Sequence, residues 1–291
     1  MSIPRSRLYR TVLLAVMIGL PPVGGMASAQ RAIPDDNLAY PVLITLKNGA
    51  TGSGFYLNTD KAIYLVTAKH VLFDPATNRL LDRELELLSY SRDPSDSTRN
   101  LATLDLLILQ NDGNIKPHPS EDVAVVKVST VVTENLTPGT GGTRSFSSSL
   151  VPGVTVKEQS KGGLLGVGLD TVKRFDQVLT GNEVMVFGYP TSIGLQQLPQ
   201  IDIHRPLLRK GIVAGTNPQK RSIVIDCPTY FGNSGGPVVE LDREAFKTEF
   251  SVIGVVVQYV PFADVGRSFM MLSNSGYSVV TPMDFVLDLV K

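Results

Sequence analysis

The chain has 291 residues, and its 43% apolar and 19% charged side chains supply enough apolar surface for a packed core, which excludes an intrinsically disordered protein. Its 27 basic and 27 acidic residues balance, so it lacks the basic excess of proteins built to bind nucleic acid or an anionic membrane. The single cysteine, Cys227, excludes an intrachain disulfide, and with only three histidines the chain has too few ligands for a usual structural zinc site. We expect no metal and no cofactor.

The first 29 residues have the three parts of a secretory signal peptide. Three arginines within the first ten residues form a basic head, an apolar run follows, and residues 27–29 are the small Ala-Ser-Ala that precedes a cleavage site. The apolar run has ten residues, about 15 Å of helix against a bilayer core of about 30 Å, so we expect no stable membrane anchor. We predict that residues 1–29 are cleaved before Gln30 and that the protein is exported to a bacterial periplasm or secreted.

From residue 30 onward the sequence is patterned as short strands separated by turns. The runs are rich in Val, Ile and Tyr and are bounded by Asn-Gly, Asp-Gly, Gly-Asn or Pro. We predict strands at residues 40–47, 54–57, 62–67, 104–110, 122–128, 183–187, 211–214, 222–225, 236–239 and 252–260. Many short strands with such turns are typical of sandwiches and barrels, so the fold class is all-β.

Two further segments follow other patterns. Residues 135–165 are rich in Gly and Ser and have little periodicity, so we expect a linker between barrels or a long surface loop. Near the C-terminus Thr281 offers a capping hydroxyl, Pro282 stands at the first helical position and Asp284 lies three residues after the cap. Apolar residues follow, which predicts a short closing helix.

The segment Phe231-Gly232-Asn233-Ser234-Gly235-Gly236-Pro237 is the strongest candidate for chemistry. A nucleophilic serine needs room for its substrate and backbone N–H groups directed at the developing oxyanion. Glycines beside the serine meet both needs, because they adopt unusual backbone angles and carry no side chain. The alternative, a glycine-rich turn between strands, stays open on this segment alone.

His70 follows the predicted strand at 62–67, with only Ala68 and Lys69 between them. A general base must lie at such a strand end, near neutral pKa, facing a cleft. His118 lies between two prolines and His204 lies beside an arginine, both in polar loops, so we assign neither a catalytic role. A lone histidine is more often structural, and the catalytic interpretation of His70 therefore depends on its companions.

Asp122 heads the apolar run at 122–128, where a carboxylate can be buried enough to orient an imidazole. Glu121 is its nearest rival, and an ordinary acid at a strand start is the alternative. The order of the three groups then separates the fold families. Residues 232–236 also satisfy the G-x-S-x-G motif of α/β-hydrolases, but in those enzymes the histidine follows the serine, and here none follows His204. A subtilisin order would need an acid before His70, where the nearest, Asp60, lies at a turn.

The order His70, Asp122, Ser234 matches the chymotrypsin arrangement, and the sequence resembles the trypsin-like serine proteases of that fold. Among them it is most similar to the disulfide-free protease domain of the bacterial HtrA group. The matching segments, in family order, are Gly52-Ser53-Gly54-Phe55, Thr67-Ala68-Lys69-His70-Val71, Asp122-Val123-Ala124-Val125-Val126-Lys127, Gly188-Tyr189-Pro190, Gly211-Ile212-Val213-Ala214, Gly232-Asn233-Ser234-Gly235-Gly236-Pro237 and Ile253-Gly254-Val255.

This resemblance implies two six-stranded antiparallel β-barrels with the active site in the cleft between them. It implies His70 as general base, Asp122 as its orienting acid, Ser234 as nucleophile, and an oxyanion hole formed by the N–H groups of Gly232 and Ser234. The implied organisation is a signal peptide at 1–29, an N-terminal barrel at 30–134, a linker at 135–165 and a C-terminal barrel with its helix at 166–291. Few residues follow the last core strand, so we expect no PDZ domain, and the oligomerisation and chaperone activity of HtrA proteins are not carried over.

The resemblance also places the specificity pocket. Its floor would be Pro228, six residues before the nucleophile, with Thr229 beside it, and its wall would be Val255, Val256 and Val257. The floor carries no charge, so a bound Arg or Lys side chain would be buried without a partner. The branched valines would narrow the slot against Phe or Tyr. We therefore expect cleavage after small or medium aliphatic residues.

The sequence thus predicts an exported serine endopeptidase that acts on polypeptides through an acyl-enzyme intermediate. The alternative is a binding or scaffold protein of the same fold whose site is intact but unused. A nucleophile, a base and an acid in a workable order favour the enzyme. Cys227, seven residues before Ser234 at the end of an apolar strand, is interpreted as a structural residue.

Overall fold

The computed structural model describes residues 38–91, 93, 96–135, 145–161, 163–191, 198–243 and 248–291. The predicted signal peptide at 1–29 lies outside these ranges. All of them belong to one compact unit, Asp35–Lys291. Within them no helix is both long enough and apolar enough to cross a lipid bilayer.

Strands dominate the described part of the chain, as predicted. The first ten are β1 (Pro41–Leu46), β2 (Thr51–Asn58), β3 (Ala62–Thr67), β4 (Glu84–Tyr90), β5 (Arg99–Asp105), β6 (Ile115–Pro117), β7 (Ala124–Asn135), β8 (Ser145–Leu150), β9 (Val154–Glu158) and β10 (Gly166–Gly168). The remaining strands are β11 (Glu183–Gly188), β12 (Leu207–Asn217), β13 (Ser222–Asp226), β14 (Pro237–Arg243), β15 (Thr248–Val265) and β16 (Met270–Pro282). The α-helices are α1 (Lys69–Leu72), α2 (Leu106–Asn111) and α3 (Met283–Leu289), and short 3-10 helices lie at Leu169–Thr171 and Phe175–Gln177.

The first ten strands form one curved sheet. Its path is β6-β7-β3-β2-β1-β4-β5-β9, with β10 paired to β2 and β8 paired to β7. Alternation along β1 shows how the sequence builds the core, since Val42, Ile44 and Leu46 all point to the interior of the sheet. Leu43, between them, points the other way and packs on Tyr189 of the second half of the chain.

The other six strands close into an antiparallel barrel in the order β11-β12-β13-β16-β15-β14. Its interior is filled by branched apolar side chains, including Val184 and Val186 of β11 and Ile223 and Ile225 of β13. The molecule therefore has the all-β, chymotrypsin-like two-barrel fold with a C-terminal helix that the sequence predicts. In detail the first half differs, because its ten-stranded sheet, with eight strands along an open path, is not a closed six-stranded barrel.

The apolar run at 104–110 predicts a strand, but only its first two residues belong to one. Strand β5 ends at Asp105, and α2 begins with the next residue. The Asp105 carboxylate accepts hydrogen bonds from the N–H groups of Leu107 and Ile108, both at 3.1 Å. This N-cap satisfies donors that an α-helix otherwise leaves unpaired, and it converts the apolar run into a helical turn.

The segment expected as a linker or long loop, residues 135–165, contributes strands to the first sheet. Strand β8 pairs with β7, and β9 pairs with β5. Strand β10, which lies beyond the predicted linker, also belongs to the first sheet and pairs in parallel with β2. The described side chains of β8 and most of those of β9 are exposed, so neither strand has the apolar alternation that marks a strand in sequence.

The closing helix α3 begins later than predicted. Thr281 and Pro282 are the last residues of β16, and no side chain caps the helix, so the predicted capping role of Thr281 is wrong. Asp284 serves a different purpose, because its carboxylate accepts from the N–H of Phe175 at 2.7 Å and pairs with Arg221 at 2.7 Å. The first bond ties α3 to the 3-10 turn at Phe175–Gln177, and the second ties it to the turn between β12 and β13.

A buried ion pair lies on the second barrel. The Lys173 ammonium is 3.0 Å from a carboxylate oxygen of Glu240, which has no solvent exposure, and it also contacts Asp242. The other Glu240 oxygen accepts from the N–H of Leu179 and the amide of Asn182. Desolvation alone would lower the pKa of Lys173, but its hydrogen bonds to the two carboxylates outweigh this and raise it.

Candidate active site

His70 and Asp122 form a hydrogen-bonded pair at one end of the first sheet. His70 lies in the single turn of α1, directly after β3, and Asp122 lies two residues before β7, the neighbour of β3. His70 Nδ1 is 2.6 Å from one Asp122 carboxylate oxygen, and the backbone N–H of His70 donates to the other at 2.9 Å. Both side chains are about one-third exposed, at 34% and 39%. A proton on Nδ1 then leaves Nε2 as the basic atom of the ring.

His118, for which the sequence indicates no catalytic role, shapes the turn that carries Asp122. Its side chain is buried, and its Nδ1 accepts from the N–H of Glu121 at 3.0 Å, while its own backbone N–H donates to the carbonyl of Val123 at 2.9 Å. The ring packs edge-on against Phe285 of α3, with centroids 5.2 Å apart. His118 is therefore a structural residue that fixes the loop around Asp122.

Ser234 lies in the nucleophile loop, residues 230–236, between β13 and β14. Its side chain is half-buried, and the flanking glycines Gly232 and Gly235 have φ angles of +94° and +90°, which favour glycine. A Cβ on Gly235 would lie 2.0 Å from the carbonyl oxygen of Ser53 and 3.0 Å from the nitrogen of Ala68. The residue after Ser234 therefore touches the segment that leads into His70, so the fold brings the predicted nucleophile and base segments together.

The direction of the Gly232 N–H is fixed through the carbonyl of Phe231, which belongs to the same peptide unit. The Phe231 carbonyl accepts from the N–H of Thr191 at 2.9 Å. A peptide unit is planar and trans, so the Gly232 N–H points away from that bond. Among the described residues this N–H has no intramolecular acceptor, and it is free to donate to a bound group.

The N–H of Ser234 is fixed in the same way. The Asn233 carbonyl accepts from the N–H of Gly236 at 2.9 Å, and no acceptor for the Ser234 N–H lies within the described ranges. The Asn233 side chain, 2% exposed, accepts from the N–H of Tyr230 at 3.0 Å. Two unpaired, pre-oriented backbone donors near a serine are the geometry that can stabilise an oxyanion.

The predicted pocket floor is supported by β16. Thr229 is buried, its hydroxyl lies 2.8 Å from that of Ser278, and its carbonyl accepts from the Asn274 amide at 2.6 Å. Pro228, beside it, is partly buried. Asn274 and Ser278 could not be identified from the sequence, because β16 has no run that is apolar throughout.

The three valines of the predicted wall do not share one face. Val256 points into the core of the second barrel and is 1% exposed, while Val257 packs against the core of the first sheet. Val255 is also fully buried. Successive residues of a strand alternate between its faces, so a run of three valines cannot line one slot with all of its side chains.

Cys227 has the structural role that the sequence indicates. It is buried in the core of the second barrel, and desolvation raises the pKa of its thiol to about 11. A thiol with so high a pKa is a poor nucleophile at neutral pH. Within the described ranges no three His, Cys, Asp or Glu side chains are grouped so that they could hold a metal ion.

Solved structures that resemble the chain include Deg5, with 18% identity, a TM-score of 0.47, and coverage of 87% of this chain and 88% of that one. A serine endoprotease from Yersinia pestis is 15% identical with a TM-score of 0.44, covering 89% of this chain and 66% of that one. The HtrA-type protease AlgW with a tripeptide is 17% identical with a TM-score of 0.43, covering 88% and 62%. The chain thus spans about two thirds or less of the last two proteins.

The family of the chain follows from its sequence and not from these structural matches. A sequence search of curated proteins finds no match to the chain. Residues 52–246 match the model of the trypsin-like peptidase domain. This match covers well over half of the sequence, so the chain belongs to the trypsin-like peptidase family.

Proposed function

We propose that the protein is an exported serine endopeptidase that uses His70, Asp122 and Ser234 as its catalytic triad. One observation carries the assignment, namely that both carboxylate oxygens of Asp122 are engaged by His70, at 2.6 Å and 2.9 Å. An ordinary surface acid has no need of this two-point attachment, whereas an acid that fixes the tautomer and orientation of a general base requires it. Membership of the trypsin-like peptidase family supports the same reading.

In the proposed reaction the Ser234 hydroxyl attacks the scissile carbonyl carbon while His70 Nε2 removes its proton. The tetrahedral oxyanion accepts hydrogen bonds from the N–H groups of Gly232 and Ser234. His70 then returns the proton to the leaving amine, and an ester to Ser234 remains. A water molecule, which His70 deprotonates, then attacks the ester carbonyl, and His70 returns that proton to Ser234 Oγ as the bond to the acid product breaks. Asp122 stays ionised and stabilises the imidazolium formed in each half-reaction.

The proposed substrates are polypeptides with a small or medium aliphatic residue before the scissile bond. Pro228 and Thr229 would form an uncharged floor for that side chain. The strand holding Val255, Val256 and Val257 would form the wall, although Val256 itself faces the barrel core. The protein would meet these substrates outside the cytoplasm, because residues 1–29 have the form of a signal peptide. No nucleic acid partner and no membrane anchor are proposed.

The test compares His70→Ala and Ser234→Ala with His204→Ala, which removes an exposed histidine remote in sequence from the triad. Wild type and His204→Ala should react with a fluorophosphonate and hydrolyse casein at equal rates. Ser234→Ala should not be labelled, and each triad variant should lose on the order of 10⁶ in kcat. Casein cleavage by Ser234→Ala at the wild-type rate would contradict the assignment. A folded wild type that neither reacts nor cleaves would favour the binding or scaffold protein.

A further inference from the structure

Ser53 in β2 lies at the junction between the first sheet and the nucleophile loop. We propose that it is a positioning residue, which holds the two oxyanion donors in place from the opposite half of the molecule. This inference rests on the proposed function of Ser234. Ser53 has no solvent exposure.

Three hydrogen bonds of Ser53 reach across to the second half of the chain. Its hydroxyl donates to the carbonyl of Gly232 at 2.6 Å and accepts from the N–H of Tyr189 at 2.9 Å. Its backbone N–H donates to the carbonyl of Ser234 at 2.8 Å. One residue therefore binds the carbonyls of both residues whose N–H groups are the proposed oxyanion donors.

The bond to Gly232 matters most, because a glycine has no side chain to restrain it. Gly232 has a φ of +94°, and without the bond to its carbonyl the peptide after it would be held only by the N–H of Asn233, which donates to the carbonyl of Tyr230 at 2.9 Å. The peptide before Gly232 is fixed by Thr191, and the peptide after it is fixed by the Ser53 hydroxyl. With both peptides fixed, the direction of the Gly232 N–H is determined before any substrate arrives.

A second hydroxyl of β2 supports the same loop. Thr51 lies two residues before Ser53, so both side chains point to the same face of the strand. Thr51 Oγ1 is 2.6 Å from Thr191 Oγ1, and the N–H of Thr191 is the donor to Phe231. Strand β2 therefore contacts the nucleophile loop through Ser53 directly and through Thr51 by one intermediate.

The same strand also contacts the helix that carries the general base. A Cβ on Gly52 would lie 2.6 Å from a methyl group of Val71, the residue after His70. Residues 51–53 thus pack against the α1 turn on one side and the nucleophile loop on the other. Ser53 is placed to set the position of the oxyanion donors relative to His70.

The simpler alternative is that Ser53 only satisfies buried polar groups and contributes to stability. The two readings differ in the kinetic parameter that they affect. Oxyanion donors act on the transition state and not on the bound substrate, so misplacing them lowers kcat and leaves KM unchanged. A purely structural serine would change neither parameter in the folded fraction of the enzyme.

The experiment compares Ser53→Ala with Ser129→Ala. Ser129 is a matched control, because it is 2% exposed, lies in β7 of the same sheet, and has a buried hydroxyl without a partner among the described residues. We expect Ser53→Ala to lose about tenfold to a hundredfold in kcat at unchanged KM, somewhat less than the 10²–10³ for deleting a donor. A peptide boronate, whose tetrahedral adduct requires the oxyanion hole, should bind more weakly by a similar factor. Ser129→Ala should match the wild type in both assays.

A third measurement needs no catalysis. Amide hydrogen exchange in the peptide covering residues 230–236 should be faster in Ser53→Ala than in Ser129→Ala, at a temperature where both are folded. Unchanged kcat, boronate affinity and exchange in folded Ser53→Ala would overturn the proposal, and so would a loss confined to KM. Failure of the proposed function would look different, since the wild type itself would then not react with a fluorophosphonate, and the exchange experiment would decide the role of Ser53 alone.

Discussion

Replacing Gly235 by alanine tests the contact between the nucleophile loop and the first sheet. At a φ of +90° an alanine costs about 1–2 kcal/mol of backbone strain. Its Cβ would also lie 2.0 Å from the Ser53 carbonyl oxygen and 2.3 Å from Thr67 Oγ1, where ordinary contact begins at 3.4 Å. The two segments must therefore separate, and a displacement of about 1 Å near a reacting centre can lower the rate about 100-fold.

Gly181 provides a matched control for the strain. Its φ is +93°, and a Cβ there would meet nothing within 4 Å. Gly181→Ala should therefore lose about 1–2 kcal/mol of unfolding free energy and keep its full kcat/KM. Gly235→Ala should lose at least as much stability and, in addition, about 100-fold in kcat/KM.

Urea denaturation and the hydrolysis of a chromogenic peptide measure the two quantities on the same preparations. The comparison is made under conditions where both variants are fully folded, so that a loss of activity is not a loss of folded protein. If folded Gly235→Ala retained the kcat/KM of Gly181→Ala, the close approach of the loop to Ser53 would have no importance for catalysis, and this prediction would be wrong.

Three further predictions follow from the charges and pockets of the fold. Lys173→Met should lower the unfolding free energy by about 3–5 kcal/mol, because Glu240 would remain buried without its cation. The pKa of Lys173 is raised in the folded state, so the loss of unfolding free energy in the variant should be complete below pH 10.5 and shrink as the pH rises further. Urea titrations that show no such decline at high pH would refute this prediction. Activity should need no trimming to a new N-terminus. In trypsin-like zymogens the residue before the nucleophile is an aspartate that pairs with the freed terminal ammonium, and here that residue is the neutral Asn233. A tag before Gln30 that silences the enzyme until it is removed would contradict this prediction. Tetrapeptide substrates should be cleaved fastest after Ala, Val or Leu, with graded steps of about 1–3 kcal/mol per methylene, and faster turnover after Arg, Lys or Glu would exclude an uncharged floor at Pro228.

The strands that could be predicted from sequence are those whose side chains are buried on at least one face. The segment at 62–67 was predicted with the bounds that β3 has, because its Val, Leu and Tyr side chains are buried in the sheet. Strands β8 and β9 were missed because their described side chains are mostly exposed. Strands β4 and β16 were missed for another reason, since β4 lies inside the sheet and buries Leu85, Leu87 and Leu88. Burial of apolar side chains is what generates a recognisable period, so an exposed edge strand leaves none.

Some residues of the candidate site could be predicted from sequence and others could not. The order of the motifs identified His70 and Asp122 as candidates, and in the structure His70 Nδ1 lies 2.6 Å from an Asp122 carboxylate oxygen. The role of Ser53 could not be predicted, because its hydroxyl bonds to a carbonyl 179 residues away along the chain. Bonds from a side chain to a distant backbone depend on the tertiary fold and on no local pattern. The same is true of Asn274, whose partner Thr229 lies 45 residues away.

The split of the proposed triad between two halves of the chain also affects when activity can arise. His70 and Asp122 belong to the first sheet, and Ser234 belongs to a barrel whose strands are joined by pairings distant in sequence. Folds dominated by such non-local pairings take milliseconds to seconds to form, since each long loop must close before its contacts stabilise anything. The nucleophile meets its base only after both halves have folded and docked. A chain that has not yet folded would therefore be unable to cleave itself or its neighbours during the period when unfolded polypeptide is most exposed.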